Sequence, residues 1–267
     1  MSRTRFPELE VLVRAPEGIA KPTPLLFVHG AYAGAWCWQE NYLPFFAQAG
    51  YSCYALSLSG HGNSPGREWL DSLSLDDFVN DVVKVAGRLP EAPVLIGHSM
   101  GGIVAQKYLE RSEAAGVVLM ASVPPQGLGS SAIGLAVRKP GLMMDLNRLM
   151  SGGQMAPDAL LDILFAQPPA PEKLRIWYKR MQPESFRAIW DMTLFNLPQL
   201  KRMHKPPMLV LGAELDHLIP PSLVDMTART YGVEAEIFPH MGHGMMLERN
   251  WRPVAERIRD WLAEVGL

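Results

Sequence analysis

The chain has 267 residues, 48% hydrophobic and 19% charged, with a formal net charge of −2. This composition supplies a sizeable core for one large α/β domain, or a domain with an insertion, and excludes a disordered chain or a coiled coil. No basic surplus exists to neutralise phosphates, no stretch approaches the roughly 20 apolar residues of a membrane span, and the N-terminal MSRTRFPELEVLVRAPEG lacks a signal-peptide apolar run, so nucleic acid and membrane are not expected partners and a cytoplasmic protein is.

The first predicted strands are LEVLV (9–13), PLLFVHG (24–30) and YSCYALS (51–57). Cys37 and Cys53 fall in this first part of the chain and are expected as reduced, packed thiols. Helical periodicity follows over 74–89, opened by Ser74 as N-cap with Asp77 three residues on. A strand is then predicted at 93–99, a helix from Gly101 to Arg111, and strands at 116–122, 207–213 and 235–240. A helix from Arg252 to Val265 closes the chain. Most of the strands are continuously apolar, and strands alternate with helices. This pattern predicts a mostly parallel, doubly wound sheet with helices on both faces.

One stretch breaks the rhythm. Residues 124–206 contain no convincing strand, but carry short helical patterns punctuated by Pro and Gly. They hold Met143, Met144, Met150, Met155, Met181, Met192 and Met203 with Phe165, Trp177, Trp190 and Phe195. The stretch reads as an all-helical insertion, a cap over an apolar pocket, set into a core of residues 1–123 and 207–267. Such Met-rich helices could serve a lid or a homodimer.

The chemistry centres on VLIGHSMGG (94–102). Ser99 stands where an apolar strand stops and a helix begins, with Gly97 two residues before and Gly101 two after. A serine on such a sharp turn is lifted clear of the sheet, and its neighbours must be small to avoid collision. Its hydroxyl needs a base, a group that orients the base, and donors for an oxyanion. Of seven histidines, His243 in FPHMGHGMMLE lies beyond the last strand and before the final helix, and is the candidate base ahead of His240. Asp216, on the loop of PMLVLGAELDHLIPP, is the candidate orienter ahead of Glu214. His98 and His204 read as structural and exposed, respectively. The candidate oxyanion donors are the backbone N–H groups of Met100, directly after the serine, and Ala31 in FVHGAYAG. His29 has no second ligand at metal spacing and no HExxH is present, so it is read as holding its loop.

These motifs, HG at 29–30, GHGNS at 60–64, GHSMGG at 97–102, LDHLIP at 215–220 and GH at 242–243, resemble those of α/β-hydrolase fold enzymes. The chain order serine, acid, histidine is that family's order. HGAYAGAWCW is similar to the HGAxxGAWxW run of plant methylesterases and hydroxynitrile lyases. The resemblance implies an α/β-hydrolase sheet, a helical cap at 124–206, Ser99 as nucleophile, His243 as base then acid, Asp216 as orienter, an oxyanion hole at Ala31 and Met100, and no cofactor or metal. Two departures stand out. Ser57 occupies a position where many relatives carry aspartate, and Val28 precedes His29 where the lyases carry a hydroxylic residue.

The expected activity is therefore a carboxylesterase that cleaves a small, mostly apolar substrate through an acyl-enzyme. Lactone or carbon–carbon bond hydrolysis, or a lyase reaction, on the same triad stays open, as does a ligand receptor without turnover. By position alone, Tyr32, Met100, Val123, Trp190 and Leu218 are expected to line the pocket, with Trp36 and Trp38 equally suited to the core.

Overall fold

The computed structural model describes residues 9–129 and 163–267. Among these, seven strands form one sheet: β1 (Val11–Arg14), β2 (Leu25–Val28), β3 (Cys53–Leu56), β4 (Val94–His98), β5 (Gly116–Met120), β6 (Met208–Ala213) and β7 (Ala235–Phe238). Their order is β1-β3-β2-β4-β5-β6-β7. Of these pairings only β1–β3 is antiparallel, with Val11 opposite Leu56; β2 runs parallel to both β3 and β4, with Phe27 opposite Ala55 and Ile96. The mostly parallel, doubly wound sheet expected from the alternation is what forms.

The continuous apolar runs have a simple cause. β2, β4 and β5 are buried along their whole length, so residues on both faces must be apolar. Alternation sorts them: Leu25 and Phe27 join a core with Trp38, Tyr42 and Phe46, while Leu26 and Val28 join one with Phe78, Val79 and Ile103. The first core is covered by α1 (Trp36–Gln39), α2 (Tyr42–Gln48) and α8 (Arg252–Glu264). The second is covered by α3 (Leu75–Ala86), α4 (Met100–Tyr108) and α7 (Pro221–Tyr231). Helices α1, α2 and α7 arise where the sequence shows no clear period: α1 spans four residues, and α2 carries Pro44 in its first turn. Cys37 and Cys53 are both buried and free.

The chain from β3 to β4 crosses back over β2, so β2 and β4 are neighbours while β3 lies on β2's far side. A crevice opens beyond the carboxyl ends of strands at such a reversal. The strands stop earlier than the apolar runs do, leaving His29, Gly30 and Ser99 just past the ends of β2 and β4.

Between β5 and β6, the described residues contain helices and no strand: α5 (Pro171–Arg180), α6 (Phe186–Trp190) running into a π-helical turn over Asp191–Phe195, and a 3-10 turn at Leu200–Arg202. Residues 130–162, with Met143, Met144, Met150 and Met155, lie outside the described residues.

Helix α3 begins with a capping box. Asp77 N–H donates to Ser74 Oγ at 3.2 Å, and Asp77 Oδ2 accepts from Ser74 N–H at 2.8 Å. Replacing Ser74 with alanine is expected to lower unfolding stability by about 1 kcal/mol in urea titration, with the transition slope unchanged.

Candidate active site

Ser99 sits at φ 54, ψ −116, a conformation that side chains other than glycine rarely adopt. The neighbouring backbone holds it there. Ser99 N–H donates to Met120 O at 3.0 Å, and its own carbonyl accepts from Gly102 at 3.0 Å and Val123 at 3.1 Å. The flanking glycines are needed for close approach: a Cβ on Gly97 would run into the Gly101 carbonyl oxygen, and one on Gly101 into that of Val28. The turn thus lies against the end of β2, where the oxyanion-candidate loop begins.

His243 Nδ1 donates to Asp216 Oδ2 at 2.7 Å, with both side chains buried. The carboxylate can only accept, so the imidazole proton lies on Nδ1 and Nε2 is the nitrogen available to take a proton. Asp216 Oδ1 accepts the Leu218 and Ile219 N–H groups at 2.8 and 2.9 Å, which fixes the carboxylate against its own loop. Ser99 and His243 make no direct hydrogen bond but line the same cavity. His98, on the strand end before Ser99, donates Nε2–H to the His243 carbonyl at 2.8 Å and packs its ring 4.7 Å from the His243 ring. Buried Glu248 holds the other side of this loop, accepting from Gly242 and Ala166 at 2.7 Å each and from Gln167 at 3.0 Å. His240 is exposed, 3.9 Å from Glu214, and His204 is exposed beside Glu113.

The loop after β2 approaches Ser99 closely: a Cβ on Gly30 would lie 3.0 Å from the Ser99 Cβ. His29 fixes it from beneath. Its Nε2 accepts from Leu58 N–H at 3.0 Å, so its Nδ1 carries the hydrogen and donates to Gly30 O at 2.8 Å. That carbonyl shares a peptide plane with the Ala31 N–H. Among the described residues, neither the Ala31 nor the Met100 N–H has an acceptor. The absence of an aspartate at position 57 is met from the residue that precedes β1. Ser57 Oγ donates to Glu10 Oε2 at 2.6 Å and accepts from Ala35 N–H at 2.9 Å, and Glu10 Oε2 also takes Asn63 N–H at 3.0 Å.

The cavity shared by Ser99 and His243 has a volume of about 130 Å³ and is walled mainly by apolar side chains. Ala31, Tyr32 and Leu218 line it, as do Trp36, Ile163, Phe165, Met181, Met246 and Leu247. Three expected lining residues are corrected. Val123 and the Met100 side chain are buried in the core of the α3/α4 face, and Trp190 is half-exposed with its ring 6.1 Å from Phe195. For Met100 and Trp190 the cause is helix facing, whereas Val123 follows β5 with its N–H bound to the Ser99 carbonyl. Trp38 is core, whereas Trp36 reaches the cavity. Among the described residues, no cluster of His, Cys, Asp or Glu could hold a metal, and no helix is long and apolar enough to cross a membrane.

The Alpha/beta hydrolase family matches residues 25–257 of the chain. A curated relative from Oryza sativa subsp. indica, named Probable esterase PIR7A, is 33% identical over 181 residues; the match spans 64% of this chain and 64% of the rice protein's length. Methylesterase 1 of Arabidopsis thaliana is 32% identical over 105 residues, 37% of this chain and 39% of that protein. The crystal structure of polyneuridine aldehyde esterase shares the fold with a TM-score of 0.72 at 19% identity, over 90% of this chain and 99% of that one.

The buried histidines make stability depend on pH in a signed way. Burial, with the neighbouring His61 and His243 rings respectively, holds His29 and His98 down at about 3 from the usual 6.5. Below pH 6.5 the unfolded chain takes up protons that these two native rings refuse, so stability falls with falling pH by up to about 1.4 kcal/mol per unit for each. His61 behaves oppositely. Burial lowers it, but the Glu184 charge and hydrogen bond and the Ser59 carbonyl outweigh burial and raise it, so its contribution is present below 6.5 and fades as pH rises above that. Urea titrations at pH 7.5, 6.5 and 5.5 should show the steepest loss on the acid side; equal stability at 6.5 and 5.5 would contradict neutral, buried His29 and His98.

Proposed function

The chain belongs to the alpha/beta hydrolase family, and on that premise we propose that it is a carboxylesterase acting on small, mostly apolar esters through a Ser99–His243–Asp216 triad. One observation carries the reading: a serine forced into a left-handed strand-to-helix turn shares an apolar cavity with a histidine whose Nδ1 is bound to a buried aspartate. Ser99 Oγ attacks the ester carbonyl while His243 Nε2 takes its proton. The oxyanion lies between the Ala31 and Met100 N–H groups, which have no other acceptor among the described residues. Collapse breaks the bond to the leaving oxygen, which receives the proton from His243, and an acyl-Ser99 remains. Water, deprotonated by the same Nε2, attacks the acyl carbon; the acid departs and Ser99 recovers its proton. Asp216 keeps the base in the Nδ1–H tautomer and stabilises the imidazolium of each transition state.

The apolar walls favour a short hydrocarbon acyl or alcohol group over a charged one. Two relatives carry esterase or methylesterase in their names, which agrees with this chemistry. We place the cap over 124–206: Ile163, Phe165 and Met181 already come from that stretch to wall the cavity.

Treatment with a fluorophosphonate should add one label per chain, mapped to the peptide containing Ser99. Ser99→Ala should lose the label and lower kcat on p-nitrophenyl esters by about 10⁴-fold or more while keeping its circular dichroism spectrum. A label elsewhere, or turnover surviving in Ser99→Ala, would overturn the triad. Negligible ester turnover beside rapid cleavage of a lactone or diketone would move the activity to those bonds.

A further inference from the structure

Another buried carboxylate, beyond Asp216 and Glu248, lies against the oxyanion-candidate loop. Glu184 comes from the stretch between α5 and α6, more than 150 positions along the chain from that loop. Its Oε2 accepts the Tyr32 N–H at 3.2 Å and meets His61 Nε2 at 3.0 Å; its Oε1 accepts Ser185 N–H at 2.7 Å. The Glu184 and His61 side chains are 1% and 0% exposed. His61 Nδ1 must donate to the Ser59 carbonyl, 3.0 Å away, so one further proton lies between Nε2 and the carboxylate. Arg67 is the other charge that this pair feels, and the rings of His29 and Phe78 pack on His61 at 5.1 and 5.6 Å. A nearby residue completes the clamp. Gln182 N–H donates to Tyr32 O at 3.0 Å, and its side-chain Oε1 accepts Gly62 N–H at 2.7 Å.

Tyr32 needs this support. It sits at φ 62, a left-handed conformation that is strained for a bulky residue, and both its N–H and its carbonyl are tied to 182–184. The Tyr32 N–H shares its peptide plane with the Ala31 carbonyl, while His29 holds the preceding plane, which carries the Ala31 N–H. The two consecutive planes around Ala31 are therefore pinned by different side chains, one from just past β2 and one from the stretch between α5 and α6.

We infer that Glu184 is a positioning residue: from the insertion, through Tyr32 N–H and His61, it fixes the loop that presents the Ala31 N–H to the oxyanion. This rests on the esterase reading given above. The role differs from ordinary packing because the cost of losing it falls on the transition state, where charge develops on the oxygen, more than on substrate binding. Glutamine at 184 keeps the shape but cannot satisfy Ser185 N–H, Tyr32 N–H and the shared proton together, so one donor is left unpaired.

The test is steady-state kinetics with p-nitrophenyl butyrate on the full chain, beside inhibition by a trifluoromethyl ketone of similar length, whose serine adduct carries the oxyanion. Glu184→Gln should lower kcat by about 10- to 100-fold with KM within about twofold, and raise the ketone Ki by the same factor as kcat falls. His61→Gln, which leaves the Tyr32 bond in place but removes the carboxylate's partner, should show the same kcat-only pattern to a smaller degree, and it becomes the deciding variant if Glu184→Gln does not fold. A wild-type kcat in the folded variant, a loss confined to KM, or an unchanged ketone Ki would each overturn the inference. With Ser99→Ala silent, those outcomes overturn the role of Glu184 alone. Turnover surviving in Ser99→Ala, or no ester turnover in the wild-type protein, overturns the esterase reading and this inference with it.

Discussion

A serine held at φ 54 is a residue kept where its own backbone would not rest, at a cost of order 1–3 kcal/mol. Much of the surrounding structure follows from that. The turn survives because Met120 of β5 accepts the Ser99 N–H, because Gly102 of α4 and Val123 just past β5 donate to the Ser99 carbonyl, and because glycine at 97 and 101 lets α4 start almost in contact with the end of β2. That contact brings the loop of Gly30 to Tyr32 beside the serine. Bulkier residues at either glycine would relieve the strain by separating the strand ends, and the serine and the loop would lose their common cavity.

Around this turn the imidazole rings have different proton assignments, set by what each nitrogen meets. His29 carries its hydrogen on Nδ1 because Leu58 N–H occupies Nε2; His98 carries one on Nε2 for the His243 carbonyl; His61 donates from Nδ1 and shares a proton with Glu184. Burial keeps His29 and His98 neutral, a carboxylate matches His61, and His243 donates to the buried Asp216.

The inner strands β2, β4 and β5 were legible in the sequence because a sheet covered on both faces demands unbroken apolar runs. Ser99 was legible because the crowding of a tight turn is written in glycines two residues either side. The structure brings His243 and Asp216 together as their places on late loops suggested. What could not be read was anything decided by the facing of a helix or by burial of a lone charge. Trp190 looks like a pocket residue in sequence, yet its ring turns outward to Phe195. Glu184 and Glu248 are two of 27 acidic residues, and nothing local distinguishes them; only the packing of distant segments makes them buried acceptors. The Ser57 departure was visible, but its remedy, Glu10 from just before β1, lies 47 positions away in the chain and depends on the pairing of β1 with β3.

Glu248 ties two regions that a modular view of the fold would treat as separable. One oxygen serves both Gly242, beside His243, and Ala166; the other serves Gln167, and Gly244 N–H reaches the Leu164 carbonyl at 2.7 Å. Residues 164–167 are thus joined to the histidine loop through main-chain groups whose positions no side-chain exchange can restore. A chimera that grafts a foreign insertion between β5 and β6 would strand a buried carboxylate without most of its donors, at a cost of several kcal/mol. Exchange of the stretch between β5 and β6 is therefore constrained by backbone register at 164–167, and a graft would have to keep that short segment from the recipient.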